Sequence, residues 1–381
     1  MRGGLLVAVA MVLAWGSVAE AQGQPDAGAL PPEPGAVESF LAATSVGGYG
    51  ELTYNHPTLS DPIVDLRRMV VFVGHNFGEH FRMYSELEWE HAVASSDDQG
   101  EVEVEQAYLD YLHSEAFNVR AGVILMPAGI INQQHEPPTF NGVDRPLADT
   151  LIIPSTWREP GIGIWGRLGD FRYQAYLVDG LRASGFGSDS IRHGHQEAQF
   201  ALANSGAGIA RLEWQPANAL QLGLTGYYGS ANQGELPDGV GKLALGDFDV
   251  QLDWHGLQAR GELAFLHVSG ADQIATEDGA PVGSTQYGLY GMVGYDLLHA
   301  LAPRSGQRLV VYGQYQRVDT NYRVEGSAVP SNSAEVQIFE GGLTWRPISQ
   351  ISLKADVRRF DYPLASELSD TWFDLGLGWM F

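Results

Sequence analysis

The segment 369–381, SDTWFDLGLGWMF, decides the fold. Phe373, Leu375, Leu377, Trp379 and Phe381 fall on alternate positions, with Trp372, Asp374, Gly376 and Gly378 between them. Side chains of a strand point alternately to its two faces. One face here is therefore large and apolar, the other mostly small or acidic. A strand with lipid on one side and a watery interior on the other has this character. The pattern runs up to the aromatic Phe381, as expected for the closing strand of an exported, membrane-inserted β-barrel.

The other end of the chain agrees with export. Arg2 supplies a positive charge, 5–15 is a short apolar run, and Ala19 and Ala21 place small residues before a cleavage point at Gln22. Residues 1–21 are expected to be a signal peptide. A permanent anchor needs about twenty apolar residues, and Gly16, Ser17 and Glu20 interrupt the run. Nothing later approaches the length of a membrane helix. Since only helices and closed barrels satisfy the backbone in lipid, a membrane-inserted form of this chain must be a barrel. The stretch 22–45, with QPDAGALPPEPGA, is expected to be a periplasmic tail or linker. There is no cysteine, which excludes disulfides, thiol chemistry and cysteine-held metals. A net charge of −24 argues against nucleic acid as a partner.

From 46 to 381 the period-two pattern recurs. Phe81, Met83, Leu87 and Trp89 oppose Arg82, Tyr84, Glu86, Glu88 and Glu90; Phe248, Val250, Leu252 and Trp254 oppose Asp247, Asp249, Gln251 and Asp253. Charges recur at every second residue, which a helix would scatter around its circumference. About sixteen such runs can be counted, near 46–55, 65–77, 80–92, 101–113, 117–126, 158–168, 170–182, 206–215, 218–230, 245–254, 257–268, 285–298, 306–318, 334–346, 349–361 and 369–381. The connections alternate short and long: turns such as Gly78-Glu79, Gly169-Asp170 and His255-Gly256, then loops such as 126–157, 183–205 and 269–284. Short periplasmic turns alternating with long extracellular loops mark outer-membrane barrels, and a soluble sandwich has no reason to sort its loops this way. A barrel of this strand number leaves an aqueous interior. That suits the charged faces, because burying so many charges dry would cost several kcal/mol each.

The third long loop, PAGIINQQHEPPTFNGVDRPLADTLIIPSTWREPG, is too apolar to hang in water and too long to be structureless. It is expected to fold into the lumen and set its narrowest section. Together with the acidic strand EVEVEQAYLDYL, the strand FNVRAGVILMPAG and the exit WREPGIGIWGRLGDFRYQAYLVDG, this loop resembles the phosphate-selective porin O/P family over roughly 100–182. The resemblance implies a sixteen-stranded, homotrimeric outer-membrane porin that passes small hydrophilic solutes, with anions such as phosphate among them. Members of that family use lysines in the constriction loop and arginines on the wall. This loop has no lysine; it offers Arg145, and Arg158 at its exit, against Glu136, Asp144 and Asp149. By strand parity Arg82, Arg120, Arg172, Arg211, Arg260, Arg308, Lys354 and Arg358 can line the wall, mixed with carboxylates including Glu86 and Glu88.

Other candidates are weak. His193 and His195 form a metal pair without a clear third ligand, and ADQIATEDGAP lacks calcium-loop spacing. Glu86, Glu88 and Glu90 read as a charged lumen stripe before a catalytic set. No Ser/His pair lies on an apolar stripe and there is no G-x-S-x-G, so a barrel lipase is not expected. Nothing calls for a cofactor. The competing reading is a surface-binding or structural barrel with a closed lumen. Aromatics near strand ends, Trp89, Tyr111, Trp165, Trp214 and Trp345 among them, are expected to form interfacial girdles.

Overall fold

A computed structural model describes residues 36–95, 100–187, 189–276, 279–365 and 368–381. The expected signal peptide lies outside them, as do Glu277 and Asp278 of the acidic loop. The chain divides into two units, Met1–Ala42 and Ala43–Phe381. The first contains helix α1 (Ala36–Ala42) and the second is the barrel. The stretch expected as linker thus includes a short helix, where AVESFLA leaves the Pro/Gly-rich composition behind.

Sixteen strands follow: β1 (Thr44–Pro57), β2 (Ile63–Phe77), β3 (Phe81–Glu90), β4 (Val102–Leu112), β5 (Asn118–Leu125), β6 (Arg158–Leu168), β7 (Phe171–Asp179), β8 (Gly206–Ala217), β9 (Leu220–Ser230), β10 (Lys242–Trp254), β11 (Leu257–Val268), β12 (Thr285–Asp296), β13 (Arg308–Arg323), β14 (Glu335–Ile348), β15 (Ile351–Asp361) and β16 (Ser369–Met380). Each pairs antiparallel with its sequence neighbour, and β1 pairs with β16 to close the barrel. The closing register runs from Tyr49 opposite Met380 to Pro57 opposite Trp372. Closure leaves no sheet edge unpaired, which is what lipid demands of a β-structure.

Alternation sorts the faces as the terminal strand foretold. Leu224, Phe248, Phe339, Phe373 and Leu375 are exposed, while Thr225, Asp249, Glu340 and Asp374 beside them are buried. Apolar groups outside and charged groups inside invert the soluble pattern and fit a barrel in the bacterial outer membrane. The short connections lie at one end. One of them, between β12 and β13, holds a single-turn helix α2 (Leu297–Leu301), whose first turn is capped by the Asp296 carboxylate accepting from the Leu298 amide at 3.1 Å. Trp165 departs from the expected girdle. It lines the interior cavity, with Arg120 and Arg82 packed over its ring at 5.5 and 6.0 Å.

Candidate functional site in the barrel interior

Residues 126–157, between β5 and β6, pack inside the barrel, and wall side chains take up their backbone. Asp247 on β10 accepts from the Gly129 amide at 3.1 Å, and Glu262 on β11 from Ile130 at 2.9 Å. Farther along, Gln316 on β13 accepts from Leu147 at 2.9 Å and Asp356 on β15 from Val143 at 2.7 Å. Arg346 on β14 donates to the carbonyls of Pro138 and Phe140 at 2.8 and 2.9 Å, and Lys354 donates to the Gly142 carbonyl at 2.7 Å. A loop whose backbone groups are this well satisfied can be buried without cost to its polar atoms. Gly129 makes the inward turn with φ 67°, and a Cβ there would run into the carboxylates of Asp149 and Glu262.

These contacts lie on β10–β15. Across the lumen, the loop edge 133–136 and the wall of β3–β8 enclose a cavity of about 1020 Å³. It is lined by Arg82, Glu86, Arg120, Arg172 and Trp165, and closed on the loop side by His135 and Glu136. Toward the other end, Ile152, Ile153 and Trp157 of the loop join Leu181, Phe186, Ile191, Val240 and Ile274 of three further long loops in one apolar cluster.

The arginines expected on the wall mostly meet carboxylates. Arg82 and Arg120 converge on Asp110 at 2.6 and 2.8 Å. Arg211 bridges Asp249 at 2.7 Å, Glu213 at 3.0 Å and Asp247 at 3.5 Å, a crossing that needs Gly223, where any side chain would collide with the pair. Arg260 pairs with Asp253 at 2.6 Å, and Arg308 lies 3.6 Å from Asp296. Arg358 pairs with Asp374 at 2.8 Å and with Asp144 of the loop, which Arg67 also holds. Arg158 sits outside this set, at the start of β6, between Glu103 at 2.5 Å and Glu197 at 3.2 Å. Arg145 donates to Ser155 at 2.6 Å, and Lys354 lies 3.6 Å over the Phe140 ring. Glu88 is fully buried, and among the described residues its ion-pair partner is Arg68, at 3.5 Å; the Asp149 oxygens have no hydrogen-bond donor among those residues. His193 and His195 pair separately with Asp189 at 2.8 Å and Glu197 at 3.0 Å.

Sequence reasoning passed over Arg67, Arg68, Glu105, Asp110, His135 and Arg346. Parity exposes most of them. Glu105 and Asp110 on β4 and Arg346 on β14 each follow an exposed Val104, Leu109 or Trp345, so they belong to the interior as surely as those named; Arg67 and Arg68 are adjacent, and only the register shift between β1 and β2 lets both point inward.

Asp144 carries a pH dependence. Burial pushes its carboxyl up, but Arg358 and Arg67 outweigh that and hold it at about 2. A depressed folded-state pKa gives stability that is full above the unfolded value, near 4, and is lost as the pH falls from there toward about 2. Thermal unfolding followed by tryptophan fluorescence is expected to be insensitive to this group at neutral pH. Below about pH 4 the midpoint should fall, and the Asp144→Asn variant should lack that portion of the fall.

The chain is 35% identical over 369 residues to an uncharacterized protein of Aquifex aeolicus (strain VF5), covering 92% of this chain and 83% of that one. No family model matches. Among solved structures, Salmonella typhi OmpF in complex with daunomycin superposes with a TM-score of 0.60 at 10% identity, over 89% of this chain and 97% of that one. A multiple mutant of Rh. blastica porin does so with a TM-score of 0.50 at 11% identity, over 89% and 100%. These likenesses establish the fold as the closed sixteen-stranded barrel of outer-membrane porins.

Proposed function

The chain belongs to one family with the Aquifex aeolicus protein, and from its barrel geometry we propose that it is an outer-membrane porin for passive diffusion of small hydrophilic solutes, with 127–157 as the constriction. The observation that carries this reading is the lumen itself. The segment's backbone is hydrogen-bonded chiefly to β10–β15, and beside its edge 133–136 a polar cavity of about 1020 Å³ remains against β3–β8. A homotrimer belongs to the same reading, on the strength of the family resemblance alone.

The charge of the lining favours cations and neutral solutes over phosphate. Anion selectivity needs a net positive lining. Here Arg82, Arg120, Arg211, Arg260, Arg308 and Arg358 are each paired with carboxylate, and Arg145, Arg172 and Arg346, which form no ion pair among the described residues, are matched by Glu86, Asp149 and Glu262, which have none either, so the lining carries no net positive charge. Lys354, one of two lysines in the chain, is spent on the Gly142 carbonyl and the Phe140 ring.

Planar-bilayer recording tests both parts. Stable ohmic steps are expected, with a reversal potential of cation-selective sign in a salt gradient and no block by phosphate. An anion-selective sign with phosphate block would restore the phosphate reading. The surface-binding barrel has one observation in its favour, the apolar cluster of long loops at the mouth; correctly folded protein that never conducts would establish it instead.

A further inference from the structure

The strand β4 changes phase in its middle. Glu86 lies opposite Gln106 and Leu87 opposite Val104, so Glu105 is an extra residue with no partner on β3. Before this bulge Val102 and Val104 are exposed; after it Leu109 and Tyr111 are. The bulge therefore lets Glu103 and Glu105 on one side, and Gln106, Tyr108 and Asp110 on the other, all face the interior. Bulges commonly re-aim side chains beside functional sites. Here the re-aimed group is Glu105, fully buried and directed at His135 on the inner edge of the loop.

His135 is oriented for ligation. Its Nδ1 lies 3.0 Å from the Asn132 carbonyl, an oxygen that only accepts, so Nδ1 carries a proton. Nε2 is thereby directed at Glu105 Oε1, 3.0 Å away, and at the Tyr49 hydroxyl, 2.8 Å away. Metal-bound histidines are held in this way, by a carbonyl on the far ring nitrogen. Glu86 completes the group: one ligand atom from each of Glu86, Glu105 and His135 lies within 4.8 Å of the others, and all three residues are buried.

Charge decides between two readings. An imidazolium paired with Glu105 would leave Glu86 held only by the Gln106 amide, at 2.5 Å. Among the described residues, neither Glu86 nor Glu105 forms an ion pair with an arginine. A dication neutralises both carboxylates and leaves the imidazole neutral, as ligation requires.

We propose that Glu86, Glu105 and His135 bind a divalent transition-metal ion of the zinc type, tying the 126–157 segment to β3 and β4. One imidazole nitrogen and two carboxylate oxygens suit such an ion; calcium and magnesium prefer oxygen alone. Glu86 and His135 also line the large cavity, so the ion arrives from there and a water can hold its open position. Gln106 and Asn132 supply outer hydrogen bonds to Glu86 and His135, and the Tyr49 hydroxyl, released from Nε2 by the ion, has Glu105 Oε2 to donate to at 3.5 Å. The inference is independent of conduction, because binding is read on the folded barrel whether or not it passes current.

The test is equilibrium dialysis of the folded, detergent-solubilised barrel against zinc chloride, with zinc-edge X-ray absorption on the loaded protein. The wild type should bind zinc saturably, about one ion per chain, with a first shell of nitrogen and oxygen. His135→Gln and Glu105→Gln should each weaken binding by at least about tenfold, and His193→Gln should not. Folding of each variant is verified by heat-modifiable gel mobility. Failure of the wild type to bind saturably would overturn the site, as would undiminished binding by folded His135→Gln. Displacement of zinc by equimolar calcium would overturn the choice of metal.

Discussion

Deleting residues 132–150 is expected to leave a folded barrel whose single-channel conductance is roughly twofold or more above that of the intact protein. The barrel should survive because its sixteen strands are paired to one another all the way round and owe none of that pairing to the loop. What the deletion removes is the mass hydrogen-bonded across the lumen to β11, β13, β14 and β15. The wall groups it uncovers, such as Asp356, Gln316 and Arg346, pass into water, so they lose partners without becoming buried orphans. Conductance of an aqueous pore follows its narrowest cross-section. A twofold rise therefore locates the constriction in this segment, and unchanged steps would place the limit in the long loops at the mouth. The same variant should lose any zinc bound through His135, which separates the loss of a ligand from the widening of a channel.

Most of the fold was legible in the sequence because a lipid-facing barrel writes its rule at every second residue. Strands β6 and β11 begin and end where the alternation does, and most others differ by a few residues at their ends. The inward course of 126–157 was legible for a different reason: Ile130, Ile131, Ile152 and Ile153 need cover, and the barrel interior provides it. Pairing was not legible. Parity gives a face, but whether Arg358 stands free or meets Asp374 depends on register across β15 and β16, where the two strands bring Arg358 opposite Trp372 and Asp356 opposite Asp374. An arginine ladder and a row of neutralised ion pairs look alike in one dimension. The bulge at Glu105 was legible in principle. In EVEVEQAYLDYL the alternating acids give way to Gln106, Tyr108 and Asp110 on the opposite parity, and only an extra residue keeps both sets inside. Trp165 misled because an aromatic near a strand end fits a girdle by type, while its parity, opposite to that of the exposed Ile162 and Ile164, puts it on the inner face.

Arg358→Met is expected to destabilise the barrel by about 3–5 kcal/mol, the usual cost of removing one partner from a buried ion pair. Arg358 is nearly buried and contacts Asp374 at 2.8 Å, Asp356 at 3.9 Å and Asp144. Without it, three carboxylates share a space in which Asn55 still donates to Asp374 at 2.7 Å and Arg67 still holds Asp144. Those two contacts leave Asp356 the worst placed, with the Tyr312 hydroxyl at 3.1 Å and the Val143 amide at 2.7 Å in place of a cation. Arg358→Lys should recover only part of the loss, because a single ammonium cannot span carboxylates that the guanidinium reaches with both Nε and Nη2. The effect should be strongly coupled. Adding Asp144→Asn to Arg358→Met removes one of the stranded charges, so the double variant should be more stable than the sum of the single losses by about 1–3 kcal/mol. Urea unfolding of the four proteins in one double-mutant cycle measures both quantities. A cost below about 1 kcal/mol for Arg358→Met would mean that water already reaches this cluster. The loop would then be held to β15 by its backbone hydrogen bonds and by Lys354, with charge contributing little.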